Sequence, residues 1–283
     1  MTTSTPLLGP SEPPAFEIVN ASGKGSAVLV CDHASNRVPR CMDDLGLNAQ
    51  QLADHISWDP GAADVARALS GLLDAPLVLS GYSRLVIDCN RPLQSPESIA
   101  EQSAGVPVPG NRNLSAQDRE RRIATFFQPY HQAIEQLLDA RRRQPTLLLS
   151  IHSFAAVLNG QHRPWHMGVA YRHDHRLAQR LHEVLRERSD INVGYNQPYP
   201  IEDAFDYTIP VHGEGRGLAS AMIEIRQDEI QSPATAATWA TRLAHAFRTV
   251  EAGVRMAPPP QPAASRERNL VTSPTPFIPR DIS

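Results

Sequence analysis

Residues 147–154 read LLLSIHSF, an aliphatic run that ends in a histidine flanked by two serines. A run of this kind predicts a strand buried on both faces, and such strands occur where helices cover a sheet. The pattern recurs. GSAVLVCDHA precedes the helix-period stretch ADVARALSGLLDA, and PLVLSGYSRLVIDCN, read as one or two strands with a break at Gly81, precedes SAQDRERRIATFFQPYHQAIEQLLDARRR. HMGVAYR precedes HRLAQRLHEVLRER, and LASAMIEIRQD precedes a last helix over about 234–253. Ser115 is placed to cap the long helix and Pro129 to perturb it. This alternation predicts a three-layer α/β domain: a mixed, mainly parallel sheet with helices on both faces. One domain is expected over 15–255, between proline-rich, irregular tails at 1–14 and 256–283.

Charge and cysteine content narrow the function. The 27 Lys and Arg nearly balance the 30 Asp and Glu, which leaves no electrostatic footprint for nucleic acid or an anionic membrane. The arginine-rich pieces at 119–122 and 141–143 fall in helical stretches and read as solvated faces. No run approaches the ~20 apolar residues of a membrane span, and the N-terminus lacks the basic and apolar regions of a signal peptide. Three cysteines without CxxC spacing argue for a reducing compartment. The expectation is a soluble cytoplasmic protein acting on a small molecule.

In open α/β sheets, chemistry gathers at the carboxyl ends of strands. Four runs end in functional side chains: Asp32, His33 and Asn36 after the first, Asp88, Asn90 and Arg91 (with Arg84 ahead of them) after RLVI, His152 in the opening strand, and Glu224 and Arg226 in the last. Each alone reads as an ordinary core residue; together they are harder to dismiss, because buried charges are costly unless paired or used. Two histidines and a carboxylate from separate segments suit a three-ligand zinc site with a position open to water. A separate glutamate can accept that water's proton, and arginines can hold substrate carboxylates. GEGRG (213–217) lacks the phosphate-loop pattern, no G-x-S-x-G elbow is present, and His162, His166, His173 and His175 have incidental spacing.

Five blocks in order, LVCDHASNRVP, HISWDPGAADVA, SRLVIDCNRP, SIHSF and IPVHGEGRGLASAMIEIRQDEI, resemble the N-formylglutamate amidohydrolase family, and more distantly zinc carboxypeptidases and aspartoacylases. The resemblance implies a fold of the zinc-exopeptidase type and one zinc per chain. It makes His33 and His152 zinc ligands, Glu224 the general base, Arg91 (beside Asn90) the grip on a substrate carboxylate, and Arg84 the group that polarises the scissile carbonyl. The implied reaction is hydrolysis of N-formyl-L-glutamate to formate and glutamate. Alternatives are another N-acyl amino acid or small peptide, or a binding protein that has lost the metal. One departure matters: Asn36 stands where the related pattern has a glutamate ligand, so Asp59 is the expected third ligand, with an N-cap for the following helix as its competing role. Asp32, next to His33, is expected to point away from the site. Arg216 and Arg226 are expected to help select carboxylates, and His55 and His212 to lie near the substrate.

Overall fold

A computed structural model describes residues 6–256 except Asn159. The expected C-terminal tail beyond Met256 and the first five residues therefore lie outside the described residues. Seven strands form one mixed sheet: β1 (Phe16–Val19), β2 (Ala27–Cys31), β3 (Leu77–Ser80), β4 (Leu147–Phe154), β5 (Met167–Ala170), β6 (Val193–Tyr195) and β7 (Ser220–Arg226). Their order is β1-β3-β2-β4-β7-β5-β6. The four central strands β3, β2, β4 and β7 are parallel, while β1 joins one side antiparallel and the parallel pair β5–β6 joins the other antiparallel.

Helices cover both faces, as the alternation predicts. On one face, α1 (Ala62–Leu73), α4 (Arg176–Leu185) and α5 (Pro233–Met256) pack on Ala27, Leu29, Leu149, Ile151 and Ile223. In α4 the inward positions are Leu177, Ala178, Leu181 and Leu185, one stripe of a 3.6-residue period. On the other face, α3 (Gln128–Ala140) lays Tyr130, Ile134 and Leu138 on Val28, Val30, Leu148 and Met222. It continues from α2 (Ala116–Arg122), capped by the Ser115 hydroxyl at the Asp118 amide, through a wide π-type turn at Ile123–Phe127. That turn ends just before Pro129, whose nitrogen has no hydrogen to donate to a regular helix.

Two expectations change. RLVIDCN forms no strand: after Gly81, where a Cβ would lie 2.4 Å from the Pro14 carbonyl oxygen, the chain leaves the sheet as a buried loop. Its amides at Ser83, Arg84 and Asp88 bond to the carbonyls of Arg37, Ser57 and Ser98, partners supplied by other loops. Its apolar side chains Leu85, Val86 and Ile87 join a satellite core with Leu45, Val108 and Phe126. Leu7 is also buried there, so the N-terminal segment, although without helix or strand over 6–14, is packed at that point.

Candidate active site

Register brings the key side chains together. In the parallel pair of β4 and β7, His152 stands beside Glu224, and Phe154 beside Arg226. Side chains alternate along a strand, so Ser150, His152, Phe154 and Glu224 share the face that α3 covers. His33 arrives just past the end of β2, and Asp59 from the turn ahead of α1. The helix start there is made by Gly61 at φ +79°, where a Cβ would meet the Ile230 carbonyl oxygen at 2.5 Å. No side chain caps α1. The Asp59 carboxylate is free of that duty and faces the histidines.

His33, Asp59 and His152, all buried, are the set among the described residues whose ligand atoms converge, to within 4.8 Å of one another. Asp59 Oδ2 lies 2.9 Å from His152 Nδ1 and 3.4 Å from His33 Nδ1. The opposite nitrogens are held by further carboxylates: His33 Nε2 donates to Asp88 Oδ1 (2.8 Å), and His152 Nε2 donates to Ser150 Oγ (2.8 Å) and toward Asp32 Oδ2 (3.2 Å). These partners assign the Nε2–H tautomer to both rings and turn both Nδ1 atoms toward Asp59. Arg84 ties the carboxylates together, donating from Nε to Asp88 Oδ2 at 3.0 Å with NH1 3.7 Å from Asp59 Oδ1.

Charge provides the test of whether a cation fits. Three buried carboxylates, Asp32, Asp59 and Asp88, face one buried guanidinium, Arg84. Burial pushes each carboxyl up, but the imidazoles (with Arg84 at Asp88) outweigh it and hold all three well below the usual carboxylate range. Burial and Arg84 oppose charge on His33, and burial opposes it on His152, yet the carboxylates raise both imidazoles above their ordinary value. Against Arg84 alone the three carboxylates leave two negative charges, which either two imidazolium protons or one divalent cation on neutral rings can offset. The donor set of two nitrogens and a carboxylate oxygen suits a cation. At metal bonds of ~2.0–2.1 Å, tetrahedral donors lie about 3.3 Å apart, close to the 2.9 and 3.4 Å between Asp59 Oδ2 and the two Nδ1 atoms. Carboxylate partners behind both histidines complete the arrangement that orients metal-bound imidazoles.

Glu224 differs from the other carboxylates. It is buried beside His152, its Oε2 has no hydrogen-bond partner, and burial pushes its carboxyl up to about 7. A carboxyl at that value can take up and return a proton near neutrality.

The remaining sequence-predicted residues separate. Asn90 donates to Asp206 Oδ1 (3.2 Å), and its Oδ1 accepts from the Tyr207 and Thr208 amides, so it pins the segment over the site. Arg91 donates to Glu97 and to the Phe205 carbonyl of that segment. Arg226 is engaged by Asp228, Glu229 and the carbonyls of Arg163 and Trp165. Arg216 is a correction. From Thr208 the chain descends to Gly213, next to Ser220 and Leu148 at the amino ends of β7 and β4, and Arg216 there pairs with Asp139 of α3. It is at the wrong end of the sheet. His212 is a second correction: wholly buried, its ring stacks on His131, and its Nε2 lies 2.8 Å from His131 Nδ1. His55 pairs with Asp54, and Asn36 donates to the Leu52 carbonyl.

Asp32 is the third correction. Its carboxylate reaches the site, accepting from Tyr130, Thr208, Ser150 and His152. Alternation puts it on the α3 face, and His33 differs because the strand has already ended at Cys31. The same parity count, carried one residue beyond the strand, could have found it. Asp88 is among the side chains closing the second run, but its pairing with His33, 55 positions away, leaves no local signal.

A buried His–Asp–His centre beside an unpartnered glutamate, at the carboxyl ends of a mixed α/β sheet, defines a hydrolase site. The chain matches the N-formylglutamate amidohydrolase family over residues 25–231. It belongs to that family and is a hydrolase of amide bonds. It is similar to the solved structure of gene product Atu2144 from Agrobacterium tumefaciens, with 34% identity over 88% of this chain and 99% of that one and a TM-score of 0.84. It shares its fold with N-formylglutamate amidohydrolase from Ralstonia eutropha JMP134, at 20% identity, 86% and 99% coverage and a TM-score of 0.61. No curated protein matches. None of the described helices is long and apolar enough to cross a membrane, and Cys31, Cys41 and Cys89 are free thiols.

Proposed function

We propose that this chain hydrolyses the N-acyl amide of an acidic amino acid, N-formyl-L-glutamate first among them, to formate and glutamate. Zinc is the proposed cofactor, one per chain, held by His33 and His152 through Nδ1 and by Asp59. The observation that carries the reading is Glu224 Oε2, buried and without a partner beside that donor set. Bound there, zinc supplies Lewis acidity, which acidifies water and polarises a carbonyl.

The chain's own residues supply the rest. Glu224 as a carboxylate takes the proton of the attacking water while a C–O bond forms at the formyl carbon. It then gives that proton to the nitrogen as the C–N bond breaks, and the second water proton, left on the cleaved acid, passes to the freed amine or to solvent, so formate and the amino acid leave. Arg84, buried at the edge of the donor set, is the group proposed to stabilise the oxyanion, with Asp88 and Asp59 fixing its orientation. Arg91, reached from the Phe205 side, is the proposed partner of the carboxylate next to the scissile amide.

The test is formate release from N-formyl-L-glutamate compared with acetate release from N-acetyl-L-glutamate, alongside metal analysis of protein purified without chelator. We expect zinc near one equivalent, loss of turnover after chelation and recovery with zinc, and faster cleavage of the formyl compound. A zinc-loaded protein that releases no formate would overturn the substrate assignment.

A further inference from the structure

The substrate class proposed above carries two carboxylates, and the arginines that the sequence offers for them are largely occupied. Arg216 is at the far end of the sheet, and Arg226 is held by two carboxylates and two carbonyls. One guanidinium near the site differs. Arg163, only 7% exposed, has a buried NH1 with no hydrogen-bond partner. Its Cζ lies 5.5 Å from the Phe154 ring centre and 4.8 Å from that of Tyr199, and its NH2 donates to the Tyr199 hydroxyl.

Its place relative to the chemistry follows from register. Phe154 lies on the same face as His152, two residues on, and Arg226 beside it lies two residues beyond Glu224. Arg226 in turn donates to the Arg163 backbone carbonyl at 3.2 Å, which anchors the segment above this row. Two residues of strand advance about 6.8 Å, comparable with the reach of an extended glutamate side chain from its amide nitrogen. On its other side, Tyr199 lies within electrostatic range of Arg84.

Leaving a buried guanidinium N–H unpaired is costly, and neither aromatic ring can accept it as a carboxylate can. Two stacked rings fix the plane of the fork while leaving NH1 to a ligand. We propose that Arg163 is a specificity-determining residue that receives the side-chain carboxylate of an N-acyl acidic amino acid, one pleat beyond the His152–Glu224 row. This rests on the substrate class proposed above.

The experiment compares kcat/KM for N-formyl-L-glutamate and its neutral isostere N-formyl-L-glutamine in the zinc-loaded wild type, Arg163→Gln, Arg163→Lys and Tyr199→Phe. In parallel, glutarate and pentanoate are titrated calorimetrically into each protein. Wild type is expected to prefer the glutamate substrate, and Arg163→Gln to shrink that ratio about 10- to 100-fold, the worth of a charge-assisted pair. The same variant should lose glutarate affinity relative to pentanoate, Arg163→Lys should recover part of it, and Tyr199→Phe, which keeps the ring, should lose less. A wild-type ratio and wild-type glutarate affinity in Arg163→Gln would overturn the assignment. If wild type cleaves neither substrate, the substrate reading fails by itself, and the glutarate titration still decides Arg163. Should Arg163→Gln not fold, as its melting midpoint would show, the Lys and Phe variants carry the same comparison.

Discussion

Along β4, Leu147, Leu149 and Ile151 face α1, α4 and α5, whereas Leu148, Ser150, His152 and Phe154 face α3 and the segment that follows β6. β2 and β7 divide in the same way: Leu29, Cys31, Ile223 and Ile225 lie on the first side, and Val30, Asp32 and Glu224 on the second. The first face is apolar along these strands up to Ser153 at the carboxyl end of β4, and holds the sheet by burial. The second is apolar only at its amino half, and toward the carboxyl ends it gathers carboxylates, imidazoles and hydroxyls. Both faces are equally buried, so the difference is one of pairing, not exposure. Apart from Glu224, each charge on the second face is met by another side chain from a distant segment, and that makes the face a candidate site.

The sharpest way to break this comparison is Glu224→Gln. It keeps the shape and the donor set, and should lower formate release about 10²- to 10⁴-fold with metal content unchanged. Turnover near wild type would remove Glu224 from proton transfer.

A change one residue earlier should act in the opposite manner. Ile223→Ala on the apolar face is expected to cost about 2–5 kcal/mol in urea unfolding, with KM for the folded enzyme unaltered. A shift in KM without loss of stability would mean that the two faces are not separable.

The smallest effect concerns His131 and His212, which support the wall behind Asp32. His131 Nε2 lies 2.9 Å from the Cys89 carbonyl, which can only accept, so that nitrogen carries the hydrogen and Nδ1 accepts from His212 Nε2–H. His212 Nδ1 is then left bare, buried and unpartnered. Burial, joined at His131 by the His212 ring, pulls the pair down to about 3 for His131 and about 4 for His212. Below an unfolded value of ~6.5, the unfolded chain binds protons that the folded pair refuses, so stability falls as pH falls from there toward about 3–4. The unfolding free energy from urea titrations should drop between pH 6.5 and 4.5 by up to about 1.4 kcal/mol per pH unit for each ring. A His131→Leu/His212→Leu double variant should show a shallower dependence over the same range, and an unchanged slope would remove the pair from the acid transition.

Much of this was legible locally. LLLSIHSF and SAMIEIR announce buried strands by period and composition, Ser115 announces a helix start, and the polar residues that close these runs announce a site. The loop carrying Asp88 was not legible as a loop. RLVI has strand-like residues, but its backbone partners are other loops, and no local pattern records them. Arg216 and Arg226 looked alike in sequence, and only the path of the chain sends one to the amino ends of the strands. Arg163 carried no signal, because its meaning depends on Phe154, nine positions before it, and Tyr199, from a later loop.

The sequence by itself determined the layered α/β class, the positions of the central strands and most of the chemistry-bearing residues, because period and side-chain type are local properties. Tertiary structure decided which of those residues meet. It set Asp59 toward the histidines instead of over a helix start, put Asp32 and Asp88 behind His152 and His33, and left one atom each of Glu224 (Oε2) and Arg163 (Nη1) without a hydrogen-bond partner. The physical reason is that hydrogen bonds and charge pairing act over a few ångströms between residues as far as 176 positions apart at this site, a separation that no local pattern encodes.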